Sequence, residues 1–234
     1  MNRVSFLAAS ATVAAAVAAP ASAQGVPGGT HLVERKADFD ERLFAAKVGR
    51  PADVRQLWDA VAFKPGVWNN VKNAMNGLAF GFGYAADAIA VAWCGHGPSA
   101  VYAYGDEVWA KYRIGEYFSL KTDAGAPIGS NVYYASKAAI DPKADPDDPN
   151  GMYQDTAIAT LQRRGLIVLA CHTAIEEQSR GIVKKGFAPA GMTASDVADD
   201  ILTHLIPGAF VVPSMVAAIA VLQQAYRYTY ITLA

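Results

Sequence analysis

Cysteine is scarce in this 234-residue sequence, which contains only Cys94 and Cys171. So low a count excludes the disulfide-dense class of small secreted domains. Neither sign of charge is in excess, because 20 Lys and Arg stand against 21 Asp and Glu. A nucleic-acid-binding protein would carry a basic surface, so the composition predicts no nucleic-acid partner. No run of like charges indicates binding to a membrane surface.

Several catalytic motifs are also missing. The sequence contains no G-x-S-x-G elbow, no P-loop lysine and no H-E-x-x-H pair, which are the signatures of hydrolases, NTPases and zinc proteases. Gly81-Phe82-Gly83 follows a predicted helix instead of a strand, so it does not form a nucleotide-binding fingerprint. The sequence therefore indicates no cofactor.

The one long apolar run lies at the N-terminus. A positive start at Arg3 is followed by an alanine-rich stretch over 6–19 and by Ala-Ser-Ala at 21–23. This order is typical of a signal peptide with a small-x-small cleavage site, and it predicts a signal over 1–23. The run is too short and too rich in alanine for a membrane span. We therefore expect a periplasmic or secreted protein with no membrane segment.

After the signal, apolar runs alternate with helical patterns. The runs 87–93 (DAIAVAW) and 166–170 (LIVLA) are typical of strands buried on both faces of a parallel sheet. Apolar residues spaced for one helix face predict helices between the strands. The predicted strands are 54–63, 87–93, 166–170, 209–212 and 226–231. The predicted helices are 39–47, 67–78, 106–118, 153–164, 173–183, one capped by Thr193 or Ser195, and 215–224.

This alternation predicts a doubly wound, three-layer α/β domain over 24–234, with about five mainly parallel strands and helices on both faces. The segment 119–151 is predicted to be an irregular insertion, and insertions of this length are often lids or partner-binding loops. It ends in DPKADPDDPN at 141–150. The prolines there disrupt an EF-hand type of ligand pattern, which favours a solvated acidic loop over a calcium site.

Ligands of an open parallel sheet bind beyond the carboxyl ends of its strands. Cys171 is the leading candidate at that edge, because it ends a predicted strand and precedes a helix whose N–H groups favour an anion. Such a position lowers the pKa of a thiol and produces a nucleophile. The alternative is a buried, inert cysteine. The other residues predicted at this edge are Cys94, His96, Gly97, His172, Pro213, Ser214 and Met215.

The role of Cys94 depends on how close the two strands lie. If they are neighbours, Cys94 and Cys171 form a disulfide, form a cycling dithiol, or join His96 and His172 in a metal cluster. The spacings C-x-H and C-H match no standard zinc signature. The sequence leaves these alternatives open.

Several motifs together resemble the DsrE/DsrF-like family, and in particular its exported branch. They are VKN at 71–73 with FGFG at 80–83, CGHGP at 94–98, GLIVLAC at 165–171, and LQ at 222–223 with Tyr228. The resemblance covers about 54–231. It implies a flavodoxin-like three-layer sandwich, a homo-oligomer, and a cysteine at the position of Cys171 that carries sulfur as a persulfide.

The resulting hypothesis is a periplasmic sulfur-handling protein in which Cys171 accepts and passes on sulfane sulfur. Its partner would be a small sulfur-containing compound or a sulfur-carrier protein. Cys94 would be the resolving thiol, His96 and His172 flanking polar groups, and Gly97 with 213–215 the ligand-binding backbone. The alternative is a non-catalytic module that uses the Cys/His edge to bind a metal or a small ligand.

Overall fold

Five parallel strands form the centre of the structure, a computed structural model that describes residues 31–136 and 138–233. The order across the sheet is β4-β3-β2-β1-β5, and every neighbouring pair is parallel. The strands are β1 (Val54–Ala60), β2 (Ile89–Gly95), β3 (Leu166–Cys171), β4 (Phe210–Val212) and β5 (Thr229–Leu233). The signal peptide predicted for 1–23 lies outside the described residues.

Helices surround this sheet. The α-helices of the described residues are α1 (Glu41–Val48), α2 (Val67–Asn76), α3 (Asp106–Lys111), α4 (Ile114–Tyr117), α5 (Ile158–Arg163), α6 (His172–Lys184), α7 (Ala194–Thr203) and α8 (Met215–Tyr226). A π-helix, Gly77–Gly81, continues α2, and a 3-10 helix, Gly97–Ala103, follows β2. The result is a flavodoxin-like three-layer α/β fold, which confirms the predicted fold class.

Alternate strand residues face opposite sides of the sheet and build two cores. On one side, Trp93 and Val168 pack with apolar residues of α2 and α5. On the other side, Cys94 and Cys171 belong to the core that includes α1, α3, α6, α7 and α8. All seven residues of β2 are buried. Burial on both faces explains why this strand has an almost uninterrupted apolar sequence.

Two predicted helices differ from the structure. The helix predicted over 106–118 is interrupted at Arg113, which adopts a left-handed conformation with φ of 48°. The helix predicted over 153–164 begins only at Ile158. The side chain of Asp155 explains the late start, because it accepts the Ala157 N–H at 3.1 Å and the Thr160 hydroxyl at 2.5 Å. A side chain that binds nearby backbone in this way competes with helix formation.

The end of the chain also differs in detail. The strand predicted over 226–231 begins at Thr229, because α8 continues to Tyr226. Arg227 ends the helix in a left-handed conformation with φ of 61°. A residue with positive φ at a helix end is a common stop signal, although glycine is the usual choice.

The insertion over 119–151 forms no helix or strand in its described part, as predicted. Its anchor is the buried Asn131, whose Nδ2 donates to the carbonyls of Tyr102 and Tyr104 at 2.9 and 2.7 Å. In the acidic segment, Asp141, Asp145 and Asp148 each accept the N–H group two residues ahead. These hydrogen bonds form a series of local turns, a conformation in which proline is common. Across the described ranges, no helix is long and apolar enough to cross a bilayer.

Candidate functional site

Cys171 is the last residue of β3 and the N-cap of α6. Its Sγ accepts the Ala174 N–H at 3.4 Å, from the first turn of α6. The same sulfur accepts the Met215 N–H at 3.3 Å, from the start of α8. Two helix N-termini therefore meet at one sulfur, and each carries partial positive charge. The side chain is 4% exposed.

Burial dominates the acidity of this thiol. Burial raises the pKa of Cys171 above its ordinary value of 9.0, although the N–H groups of Ala174, Met215 and Thr173 act in the opposite direction. The expectation of a lowered pKa was therefore wrong. The reason is that desolvation of the thiolate outweighs its hydrogen bonds. At neutral pH, Cys171 is a protonated thiol in a site that is built for an anion.

Cys94 lies in the same core but is less accessible still, at 0% exposure. Burial raises its pKa far above the usual range, and the Asp59 carboxylate adds to this effect. Cys94 pairs with Leu169, two positions before Cys171. The strand spacing places the two cysteine Cα atoms roughly 8 Å apart, beyond the limit of about 7 Å for a disulfide. Both thiols are free.

His96 belongs to a polar group at the same edge of the sheet. Its Nε2 lies 2.8 Å from Oδ1 of Asp59, at the end of β1. The hydroxyl of Tyr230, in β5, donates to the other oxygen of Asp59 at 2.5 Å. This bond raises the pKa of Tyr230 above 10.0. Tyr230, Asp59 and His96 thus form a chain of hydrogen bonds across the ends of three neighbouring strands.

Sequence reasoning missed Asp59 and Tyr230. Asp59 offers a signal, because it is an acidic residue near the end of the predicted strand 54–63. Tyr230 offers none, because its role depends on β5 pairing with β1. The sequence alone does not give that strand order.

His172 lies in a different environment from His96. Its side chain is buried, and its Nε2 is 3.9 Å from Oε1 of Glu176, one turn further along α6. Burial lowers the pKa of His172, and the nearby His31 of the N-terminal arm lowers it further. The imidazole is therefore neutral at neutral pH. The two histidines that were predicted to flank Cys171 therefore have different acidic neighbours, Asp59 for His96 and Glu176 for His172.

Three of the residues predicted for ligand binding, Pro213, Ser214 and Met215, follow β4 beside Cys171. Pro213 accepts a hydrogen bond from the Thr173 hydroxyl at 3.0 Å, and Ser214 is the N-cap of α8. Pro213 and Ser214 line a cavity of about 180 Å³ whose other walls include Phe39 and Phe44. Gly97 lies further along the edge.

Gly97 joins the 3-10 helix to α6. Its carbonyl accepts Nε2 of Gln178 at 2.6 Å, and Oε1 of Gln178 accepts the hydroxyl of Tyr104 at 2.6 Å. Gly97 itself has a φ of 54°, a left-handed conformation that glycine adopts without strain. The role of Gly97 here is structural, because its carbonyl links the 3-10 helix to α6.

The four Cys and His candidates do not form one cluster. Among residues 31–136 and 138–233, no three His, Cys, Asp or Glu side chains are grouped so that they could hold a metal ion. The fold and site define a flavodoxin-like α/β protein with a buried cysteine at the carboxyl edge of the sheet. Comparisons with models of protein families, with curated proteins and with solved structures each found no match.

Proposed function

We propose that this protein handles sulfane sulfur, and that Cys171 accepts one sulfur atom and passes it on as a persulfide. The observation that carries the proposal is the convergence of the α6 and α8 N-termini on the Cys171 sulfur. Fixed N–H donors stabilise a developing anion without having to reorganise. The resemblance to the DsrE/DsrF-like family supports the same choice of residue.

In the proposed step, Cys171 loses its proton to solvent and its thiolate attacks the outer sulfur of thiosulfate. A new S–S bond forms, and sulfite leaves with the electrons of the broken S–S bond. An acceptor thiolate then attacks the outer sulfur of the persulfide and restores Cys171. Only the thiolate reacts in such exchanges. The raised pKa of Cys171 therefore makes the first step slow at neutral pH and faster as the pH rises.

The remaining candidates take different places in this proposal. His96 directly follows Gly95, the last residue of β2, and Gly95 pairs with Ala170, so His96 lies at the level of Cys171. We assign it the role of a flanking polar group, held in place by Asp59. The cavity that Pro213 and Ser214 line is the proposed approach for the donor; Cys171 is not among its lining residues, so the turn at 213–214 must shift for the donor to reach the sulfur. Cys94 is not assigned a resolving role, because it is fully buried and too far from Cys171.

Mass spectrometry of the purified protein after incubation with thiosulfate or polysulfide tests the proposal. We expect one added sulfur atom on the peptide that contains Cys171. Cys171→Ala should abolish the addition, whereas the matched variant Cys94→Ala should retain it. Circular dichroism checks that both variants fold. An unmodified Cys171 at pH 9, or equal sulfur uptake by both cysteines, would contradict the proposal.

A second candidate is a module that binds a small ligand without catalysis, and the apolar cavity beside Pro213 and Ser214 favours it. Filling this cavity with Ala217→Phe should abolish ligand binding if the cavity is the site.

A periplasmic or secreted location and a homo-oligomer belong to the main proposal. The signal-peptide pattern supports the location, and the family resemblance supports the oligomer.

A further inference from the structure

A larger cavity, of about 470 Å³, lies at the amino ends of the strands, whereas Cys171 lies at their carboxyl ends. Its lining includes Ile89, the first residue of β2, and Gly165, which immediately precedes β3. The insertion contributes Ile140 and Pro142 to its wall. Cavities of this size are typical of small-molecule sites. This cavity is separate from the site of the proposed sulfur chemistry.

The polar part of the lining is mainly cationic, with Arg50, Arg163 and Arg164 against one acid, Asp87. The guanidinium of Arg50 donates from Nη1 to the carbonyl of Asp87 and from Nη2 to the carbonyl of Ile89. Arg163 donates to the carbonyl of Ala159 and the hydroxyl of Thr160. These two arginines add positive charge to the cavity wall, and each already makes two hydrogen bonds to the protein.

Arg164 differs, because one of its nitrogens is both buried and without a hydrogen bond. Its Nη2 donates to Oδ1 of Asn76 at 2.5 Å, whereas Nη1 is buried without a hydrogen bond in the described structure. Burial lowers the pKa of Arg164, but the group stays charged. Leaving a buried charged donor unpaired is costly. An anion in the cavity removes that cost only if a small rotation of the side chain turns Nη1 toward the cavity, because this nitrogen has almost no accessible surface.

The rest of the lining is apolar and aromatic. Phe80 and Tyr153 meet edge to face with ring centroids 4.9 Å apart, and the Arg164 guanidinium lies 5.1 Å from the Tyr153 ring centre. Met75 and Met152 lie in the same wall. Phe80 is placed by the π-helix Gly77–Gly81, and short π-helices occur often at functional sites.

We propose that this cavity binds a small amphipathic carboxylate. Its carboxylate pairs with the guanidinium of Arg164, which lies in the cavity wall, because this planar group suits carboxylate geometry. Its aryl or branched aliphatic group packs against Phe80, Tyr153 and the two methionines. The insertion then forms part of a binding wall, which gives this long loop a role.

Methyl-labelled methionine NMR provides the test, because two of the five methionines line the cavity. Phenylacetate and 4-methylpentanoate are the probes, and phenylacetamide is the matched neutral control. We expect saturable shifts of the Met75 and Met152 signals below about 1 mM probe. Met215, beside Cys171, and Met192 should not shift. The amide should bind at least tenfold more weakly than phenylacetate.

Arg164→Gln should weaken carboxylate binding at least tenfold, and Arg164→Lys should give a smaller loss because it keeps the charge. Arg42→Gln, at an exposed arginine of α1, is the control and should bind as the unmodified protein does. Equal affinity for acid and amide would overturn the proposal on the unmodified protein alone. The proposal would also be overturned if no methionine methyl signal shifted, or if only the Met215 signal shifted. None of these results depends on whether Cys171 carries sulfur.

Discussion

Gly95 ends β2 between Cys94 and His96, and replacing it with alanine tests how tightly the sheet is packed at the candidate site. A Cβ at this position would lie 1.8 Å from Cη2 and 2.3 Å from Cζ3 of Trp93. Trp93 is fully buried and packs against Trp68 and Tyr102, with ring centroids 5.1 and 5.8 Å away. The indole therefore has no room to move. Overpacking of this kind costs about 1–3 kcal/mol, and we expect a value near 3.

Urea denaturation and thermal unfolding would measure this loss. For a chain of this length, about 3 kcal/mol corresponds to a fall of about 6–12 °C in Tm. The clashing atoms belong to the outer ring of the indole, so Trp93→Phe removes them. In that background, Gly95→Ala should cost about 1 kcal/mol or less, which gives a favourable coupling in the double-mutant cycle.

Gly129→Ala is the matched control, because a Cβ there meets no atom within 4 Å. Its effect should stay within about 0.5 kcal/mol. The reasoning is refuted if Gly95→Ala is equally harmless. It is also refuted if the substitution costs the same with tryptophan and with phenylalanine at position 93.

Three further results are expected. Burial lowers the pKa of His172 below 6.5 in the folded protein. The unfolded chain therefore takes up a proton on His172 first, and the free energy of unfolding falls as the pH drops below 6.5. Urea unfolding at several pH values should show a weaker pH dependence of this free energy in His172→Gln. Thr193→Ala removes the capping box with Asp196 at the start of α7, which should cost about 1 kcal/mol in urea. Tyr230 should titrate above 10.0 by ultraviolet absorbance, because its hydroxyl donates to Asp59; Asp59→Asn should lower that pKa, and an unchanged titration would contradict the assignment.

The sequence was a good guide to the layers of the fold and a weaker guide to the ends of its elements. Strands β2 and β3 were predictable because burial on both faces leaves an apolar run. The prediction that Thr193 or Ser195 caps a helix is confirmed at Thr193. The break at Arg113 was not predictable, because its guanidinium contacts Gly186 and Phe187, about 70 residues later. The late start of α5 has a local cause, since the hydrogen bonds of Asp155 compete with the helical pattern.

The candidate site was also predictable only in part. The position of Cys171 at the carboxyl edge followed from the strand pattern. The direction of its pKa shift did not, because that direction depends on how deeply the packed elements bury the sulfur; the N–H of Met215, 44 residues away in sequence, acts against the shift. The partnership of Tyr230 with Asp59 spans 171 residues. Such contacts depend on strand order, which hydrophobic patterns do not encode.

The position of β5 has a consequence for folding of the chain during synthesis. β1 pairs with β2 on one side, but its other side pairs with β5, the final strand, about 170 residues later. Until β5 is synthesised, the outer edge of β1 presents unpaired N–H and C=O groups, which are a template for pairing with another chain. A chain in which β5 has not yet paired is therefore exposed to aggregation at this edge of β1. Chaperones that recognise exposed strand edges should bind it there until translation reaches the last strand.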